Sequence, residues 1–496
     1  MKKHKAVGFL GIVFLIVTAF LTGMWVQQER EEAKRSSVVS QDANKESKQG
    51  QMEDLVRLMP GTTTDMLSAD YWVKGSEDEL IFSAEEIEAY GANNPISVQY
   101  NDKVAGRALR LFPYDLPDEI QGHVVETLID VTYLDNVIEG DSKPYVNGEL
   151  REKGYWTAIK ENCALEAIPD KVIPKYCICV KRDTAKVYPT EDFVSTDPGE
   201  IFCNDLVSAE VMPLSGVVAL HESKDHEWVY VIDGSYCGWI KKDRLAYCED
   251  REQWLSFCQP EEFLVVTGCE IVLDETAMQT RSAGMTIPMG AKIKLLKETE
   301  ELVGGRQSID CYVAEVPVRE DNGKLGVEKV LIPFSKDVSA GYLTMTSGAV
   351  IRQAFKFLGK IYGWGGSFSS NDCSGFARQV YACFGYELPR NSAAIASLYD
   401  LGGENIWPAT AERKLSFLKK IPKGTLLYMD GHLMIYLGMV GEEPYVISSC
   451  ATYIEPGDTS KTIQNAYGVF VSNMKLLRKD GKTWLESLDT IQWKDY

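Results

Sequence analysis

The sequence predicts an α+β fold at its C-terminal end. Two small β-barrels stand ahead of it, a mainly helical segment before those, and one apolar helix at the N-terminus. Three observations carry this reading. From about Thr344 a helical period and alternating strands share one stretch. Between residues 176 and 343, short alternating runs separated by Gly, Asp and Ser clusters occur twice. Ala6–Val26 is an uncharged apolar run behind Lys-Lys-His-Lys. A chain of 496 residues accommodates several such units, at roughly 100–200 residues per domain.

Each element follows in order. Residues 1–26 form a signal anchor or a signal peptide: about 20 apolar residues span a bilayer, and the leading basic flank favours an N-terminus left inside. The long apolar stretch has no convincing small-x-small cleavage site after it, and no Cys lies near its end to take a lipid. On either reading the bulk of the chain leaves the cytoplasm, held to the cell membrane by a single pass or secreted. Residues 27–51 are rich in charge and poor in apolar side chains, a solvated tether.

Residues 52–175 read as mainly helical, with Ser83-Ala-Glu-Glu86 a capping box. His123, in a helix-like stretch, reads as structural. Residues 176–258 and 259–343 are the two barrels, with one larger β-domain as the alternative. Gly216-Val-Val-Ala-Leu has a counterpart in Gly290-Ala-Lys-Ile-Lys-Leu, and Val229–Ile232 has one in Tyr312–Val316. The spacing of His221 and His226 does not suit helical metal ligands, so they read as surface residues.

Residues 344–496 form the α+β unit. Val350, Ile351, Ala354, Phe355 and Leu358 mark an amphipathic helix that Gly359 stops. A Gly-rich turn, Tyr362-Gly-Trp-Gly-Gly366, leads to a second helix opened by Asn371-Asp-Cys-Ser-Gly-Phe376. His432–Leu437 and Tyr445–Ser448 read as strands joined at Gly441.

Charge removes some functions. With 52 basic and 72 acidic side chains the net charge is −20. Nucleic acid is excluded as a partner, because a phosphate backbone needs a basic face. Simple electrostatic docking on an anionic polymer is disfavoured for the same reason. The twelve Cys are scattered, without a C-x-x-C pair or the spacing of a disulfide framework, so no metal site is expected.

The chemistry centres on Cys373. A thiol at a helix N-terminus meets unpaired N–H groups and the positive end of the helix dipole, both of which favour the thiolate. Cys383 falls on the apolar face of the same helix and reads as core. His432 is the only His that follows Cys373, and it begins a strand after a turn. A Cys on a helix cap, a His on a later strand and a polar residue to orient it make up a papain-like nucleophile, base and orienter.

These residues resemble a known family. YGWGGSFSSNDCSGF (362–376), LPRNSAA (388–394) and GHLMIYLG (431–438) resemble the NlpC/P60 cell-wall cysteine peptidases. More narrowly, the chain is similar to the branch with two bacterial SH3-like domains and an N-terminal stabilising segment. Asp70-Tyr-Trp72, Lys181-Arg182-Asp-Thr184, Tyr188-Pro-Thr190, His221-Glu-Ser, Gly238-Trp239 and Arg478–Leu485 extend the likeness over roughly residues 55–496.

The resemblance implies that Cys373 is the nucleophile, His432 the base and Tyr362 an oxyanion donor with the Cys373 N–H. It implies that Asp372 and Ser374 bind the free amine of a stem peptide's L-alanine, with helix capping as the rival role for Asp372. Trp364 either walls the groove or packs. Arg390 meets a substrate carboxylate or forms a surface ion pair. The third catalytic position, usually His, Asn or Gln in the family, falls on Ser448, or on Ser449 if the strand shifts. A serine orients an imidazole more weakly, which leaves two expectations. One is a peptidoglycan hydrolase cutting the γ-D-glutamyl to diamino acid bond of stem peptides, with no cofactor. The other is an impaired protein that binds wall peptides on the same fold.

Overall fold

A computed structural model describes residues 56–102, 104–140, 143–278, 280–297, 302–398 and 403–492. The chain divides into two compact units, Met1–Asp65 and Met66–Tyr496. The transmembrane helix expected over Ala6–Val26 and the tether of residues 27–51 lie outside the described residues. Among the described residues no helix is long and apolar enough to cross a membrane.

The α+β unit is built on an antiparallel six-stranded sheet. Its strands, in spatial order, are Gly403–Asn405, Leu488–Gln492, Leu426–Met429, His432–Val440, Glu443–Ile454 and Ile463–Asn473. Gly441 turns the fourth strand into the fifth with a φ of 61°, a left-handed value that glycine adopts without a Cβ clash. Two helices cover one face: Ser347–Phe355, capped by Thr346, and Cys373–Ala382, capped by Asp372. Their apolar stripes place Val350, Ile351, Phe376 and Val380 in one core with Leu433, Ile435 and Ile447 of the sheet.

The segment read as mainly helical serves two cores. Its first part carries the capped helices Ala69–Val73 and Ala84–Asn93. Trp72, Ile81, Phe82, Ile87 and Tyr90 bury into the core of the α+β unit, and Tyr90 stacks on Tyr386 at 4.4 Å. The second part carries helices Gly122–Leu128, Thr132–Glu139 and Lys153–Asn162, and also a β-hairpin, Val98–Asp102 with Arg107–Leu111. Val125, Leu134 and Trp156 share a core with Ile178, Trp239 and Trp254 of the first β-domain. His123 lies 3.4 Å from Asp102.

The two β-domains are separate sheets. The first has seven antiparallel strands, running in space from Val207–Val211 through Gly216–Glu222 to Leu245–Tyr247. Cys177 and Cys179 share one buried face of the strand Lys175–Cys179. The second has five, with Lys292–Leu296 central, beside a two-stranded ribbon. The internal repeat is reproduced in the pairing: Val218 faces Ile232 in the first sheet, and Leu295 faces Ala314 in the second. His221 is half-buried, its Nε2 3.0 Å from the Cys163 carbonyl, and His226 is exposed. All twelve cysteines are free.

Candidate active site

Cys373 is the first residue of its helix. That helix starts where it does because Asp372 accepts the Gly375 N–H at 2.8 Å, satisfying one of the end groups a helix leaves unpaired. His432 is the first residue of the neighbouring sheet strand. The N–H groups of Leu433, next to His432, and of Ser374 favour the Cys373 thiolate, though less than burial opposes it. Cys373 and Phe376 of the helix share one core with Leu433 of the strand.

His432 is held on two sides. Its Nε2 lies 3.1 Å from the Ser448 Oγ, and Trp484 packs edge-on to the imidazole with ring centroids 5.2 Å apart. Ser448 is fully buried on the strand Glu443–Ile454. Ser449 turns elsewhere and donates to the Asn371 carbonyl at 2.7 Å. Of the two candidates for the third position, Ser448 is the one that meets His432.

Tyr362, Cys373 and His432 line one cavity of about 520 Å3, with Cys450, Arg478 and Trp484 on its walls. Burial, with the Asp372 carboxylate next, pushes the Tyr362 phenol well up, so it is a protonated donor. A larger cavity of about 870 Å3 lies between the N-terminal helices, the second β-domain and the far end of the Cys373 helix. Neither Cys373 nor His432 lines it. Among the described residues, no three His, Cys, Asp or Glu side chains gather in a way that could hold a metal ion.

The electrostatics differ from the sequence expectation. Burial, with the Asp372 carboxylate next, pushes the Cys373 thiol up to about 12. Burial and then the Arg478 charge bring His432 down to about 3. Dehydration of the thiolate outweighs the helix end, because a buried charge loses its water and the dipole returns only part of that energy. The resting pair is a neutral thiol and a neutral imidazole.

The expected substrate-binding residues divide. Asp372 is 8% exposed, and its carboxylate already takes five donors: the Gly375 and Gly365 N–H groups, the Ser374 hydroxyl and two Arg390 nitrogens. A carboxylate has about four lone-pair sites, so Asp372 has none left for a substrate amine. Burial pushes this carboxyl up, and Arg390 with the N–H groups outweighs that to leave it below its ordinary value. Arg390 is likewise enclosed, its Nη1 2.8 Å from the Ser374 Oγ. It forms an internal ion pair with Asp372 at 2.5 Å, neither a surface pair nor a free carboxylate reader. Trp364 is 40% exposed and absent from the cavity wall.

Sequence reasoning gave no role to Trp484, Cys450 or Arg478 individually. A signal for Trp484 existed: Thr483 and Glu486 form a capping box that fixes where its helix begins.

Residues 359–479 match the NlpC/P60 family. Forty-seven residues are 51% identical to the probable endopeptidase p60 of Listeria innocua, over 9% of this chain and 10% of that protein. The chain thus spans about a tenth of that curated relative. The fold is similar to that of an NlpC/P60 endopeptidase from Photobacterium damselae subsp. piscicida. The TM-score is 0.68 at 14% identity, covering 88% of this chain and 98% of the other. The stretch of residues 359–479, which holds Tyr362, Cys373, His432 and Ser448, is a domain of the NlpC/P60 family.

Proposed function

We propose that the protein is an exported cysteine peptidase that hydrolyses peptidoglycan stem peptides at the γ-D-glutamyl to diamino acid bond. The diamino acid is meso-diaminopimelate or L-lysine. One observation carries the reading: a thiol at a helix start, an imidazole on the adjoining strand and a hydroxyl on that imidazole meet at one cavity. The similar endopeptidases supply the reaction class. The bond, the export and the SH3-like identity of the two β-domains rest on the resemblance in sequence.

The proposed steps use these groups. Nε2 of His432 engages Ser448, which leaves Nδ1 to take the thiol proton. The sulfur adds to the scissile carbonyl carbon, and the C=O electron pair moves onto oxygen. The Cys373 N–H and the Tyr362 hydroxyl are the donors for that oxyanion. His432 passes its proton to the leaving amine as the C–N bond breaks, and a thioester remains. Water, deprotonated by His432, then hydrolyses it. Because the pair rests neutral, the proton transfer accompanies attack.

The second reading is a wall-peptide binder, favoured by the uncharged Ser448 and the raised thiol pKa. Incubation with L-Ala-γ-D-Glu-meso-diaminopimelate and with intact muropeptides, followed by mass spectrometry, separates the two. Release of L-Ala-γ-D-Glu that disappears in Cys373→Ala supports the peptidase. Folded protein that binds both substrates and cuts neither supports the binder.

A further inference from the structure

With Arg390 spent on Asp372, the cavity holds a different cation. Among the described residues, Arg478 and Lys479 are the only Arg or Lys residues on its wall, in a chain whose net charge is −20. Backbone hydrogen bonds hold the turn that carries Arg478. The Leu477 N–H donates to Ile454 at 2.9 Å, the Arg478 N–H to Lys482 at 2.8 Å, and the Gly481 N–H to Arg478 at 2.9 Å. Gly481 closes this turn with a φ of 90°, and Lys461 ties it down through the Lys479 carbonyl at 3.0 Å.

The side chain is only partly used. Nη1 donates to the Asp430 carbonyl at 2.7 Å, just before the Gly431–His432 start of the base strand. Among the described residues, the remaining guanidinium N–H groups have no protein partner. The nearby acids do not neutralise it: Asp480 accepts the Lys482 N–H, and Asp430 contributes its carbonyl. The Arg478 charge also reaches the imidazole, since it is the second cause of the lowered His432 pKa.

We propose that Arg478, backed by Lys479, forms a carboxylate subsite beside the Cys373–His432 pair, so that the peptide accepted here carries a free carboxylate next to the scissile bond. This rests on the peptidase reading and adds the chemistry that selects the substrate. A planar guanidinium with unspent donors matches a carboxylate and does not match a carboxamide, which carries no charge and offers a single acceptor oxygen. Two groups bring that chemistry to the site. A γ-linked glutamyl residue keeps its α-carboxylate on the acyl side, and diaminopimelate carries carboxylates on the leaving side.

The test compares three tripeptides: L-Ala-γ-D-Glu-meso-diaminopimelate, the same peptide with the glutamyl α-carboxylate amidated, and the same with the diaminopimelate α-carboxylate amidated. kcat/KM is measured for the full chain and for Arg478→Gln and Arg478→Lys. One amidation is expected to lower wild-type kcat/KM by about tenfold or more, and which one does so identifies the group that is read. In Arg478→Gln that ratio collapses toward one, and Arg478→Lys restores part of it. A purely structural role through Asp430 would slow all three substrates alike and leave the ratio unchanged.

Calorimetry on Cys373→Ala with L-Ala-γ-D-Glu, with its α-amide, and with free and α-amidated diaminopimelate reads the subsite without turnover. If wild type cuts nothing but Cys373→Ala still prefers an acid over its amide, the peptidase reading fails and the subsite stands. Equal treatment of acids and amides in both assays, or discrimination that survives Arg478→Gln, overturns the proposal.

Discussion

The two β-domains share a strand plan but meet the α+β unit differently. The first reaches the residues around the nucleophile. Arg182 pairs with the buried Glu210 and donates to the Ser370 carbonyl at 3.1 Å. Gln379 bridges Glu210 to Asn371, and the Ser235 hydroxyl accepts the Arg390 N–H at 2.8 Å. Gly365 and Gly366 fit so closely against Val207 and Glu210 that a Cβ on either would fall within 2.4 Å of them. The second β-domain touches the far ends of the helices. The Cys383 thiol lies 3.5 Å from the Val266 carbonyl, Lys356 reaches Thr267 at 2.9 Å, and Lys360 lies 3.6 Å from the half-exposed Glu270.

The difference teaches what each contact is for. A buried ion pair stabilises little over an apolar pair, but stripping one partner strands the other charge. The first domain's contact therefore specifies one arrangement of the Asn371–Cys373 turn. The second domain's ion pair, Lys360 with Glu270, lies half in water, where such pairs are worth little. One is part of the site and the other is a support.

Glu210→Ala should have the largest effect on stability. It leaves the largely enclosed Arg182, its side chain 14% exposed, without its carboxylate partner and should cost about 3 kcal/mol, read by urea unfolding together with lost turnover. A loss below about 1 kcal/mol would remove the distinction between the domains.

The next effect is the pH dependence that His432 imposes. Its pKa is lowered from 6.5 to about 3 in the fold. The unfolded chain binds the proton first, so this contribution is full above pH 6.5 and is lost as pH falls from 6.5 toward 3. The total is on the order of a few kcal/mol. His432→Gln should flatten that slope relative to wild type. Parallel curves would show an imidazole already charged in the fold.

The raised thiol pKa predicts slow alkylation of Cys373 by iodoacetamide. The rate should climb about tenfold per pH unit from pH 7 to 10 without a plateau. A plateau below pH 8 would indicate a preformed thiolate–imidazolium pair.

Ser448→Ala should lower kcat by about two- to tenfold with KM little changed, the loss of one hydrogen bond. Smallest of all, Lys360→Ala at the second domain's rim should change stability by under about 1 kcal/mol and leave kcat unmoved. A kcat change there equal to that in Glu210→Ala would make both domains part of the site.

Much of the site was legible residue by residue. Helical spacing placed Cys373 at an N-terminus, a short acceptor side chain placed the cap on Asp372 or Asn371, and alternation placed His432 and Ser448 on strands. Local rules suffice for these, since each depends on neighbours a few residues away. Arg390 was legible only as a cation near the site. Its pairing with Asp372 crosses the gap between a helix cap and a loop, and no period in the chain encodes it.

The sequence by itself determined the element types of the α+β unit, the net negative charge, the twofold β plan and the candidate nucleophile and base. All of these follow from backbone preference and periodicity. Only the tertiary structure decided that Ser448 meets His432, that Trp484 packs on the imidazole, and that Glu210 and Arg182 anchor the nucleophile turn from another domain. It also decided that the thiol rests protonated. That depends on how much water the fold removes from one sulfur and which charges it leaves nearby, and dehydration is a property of the packed whole.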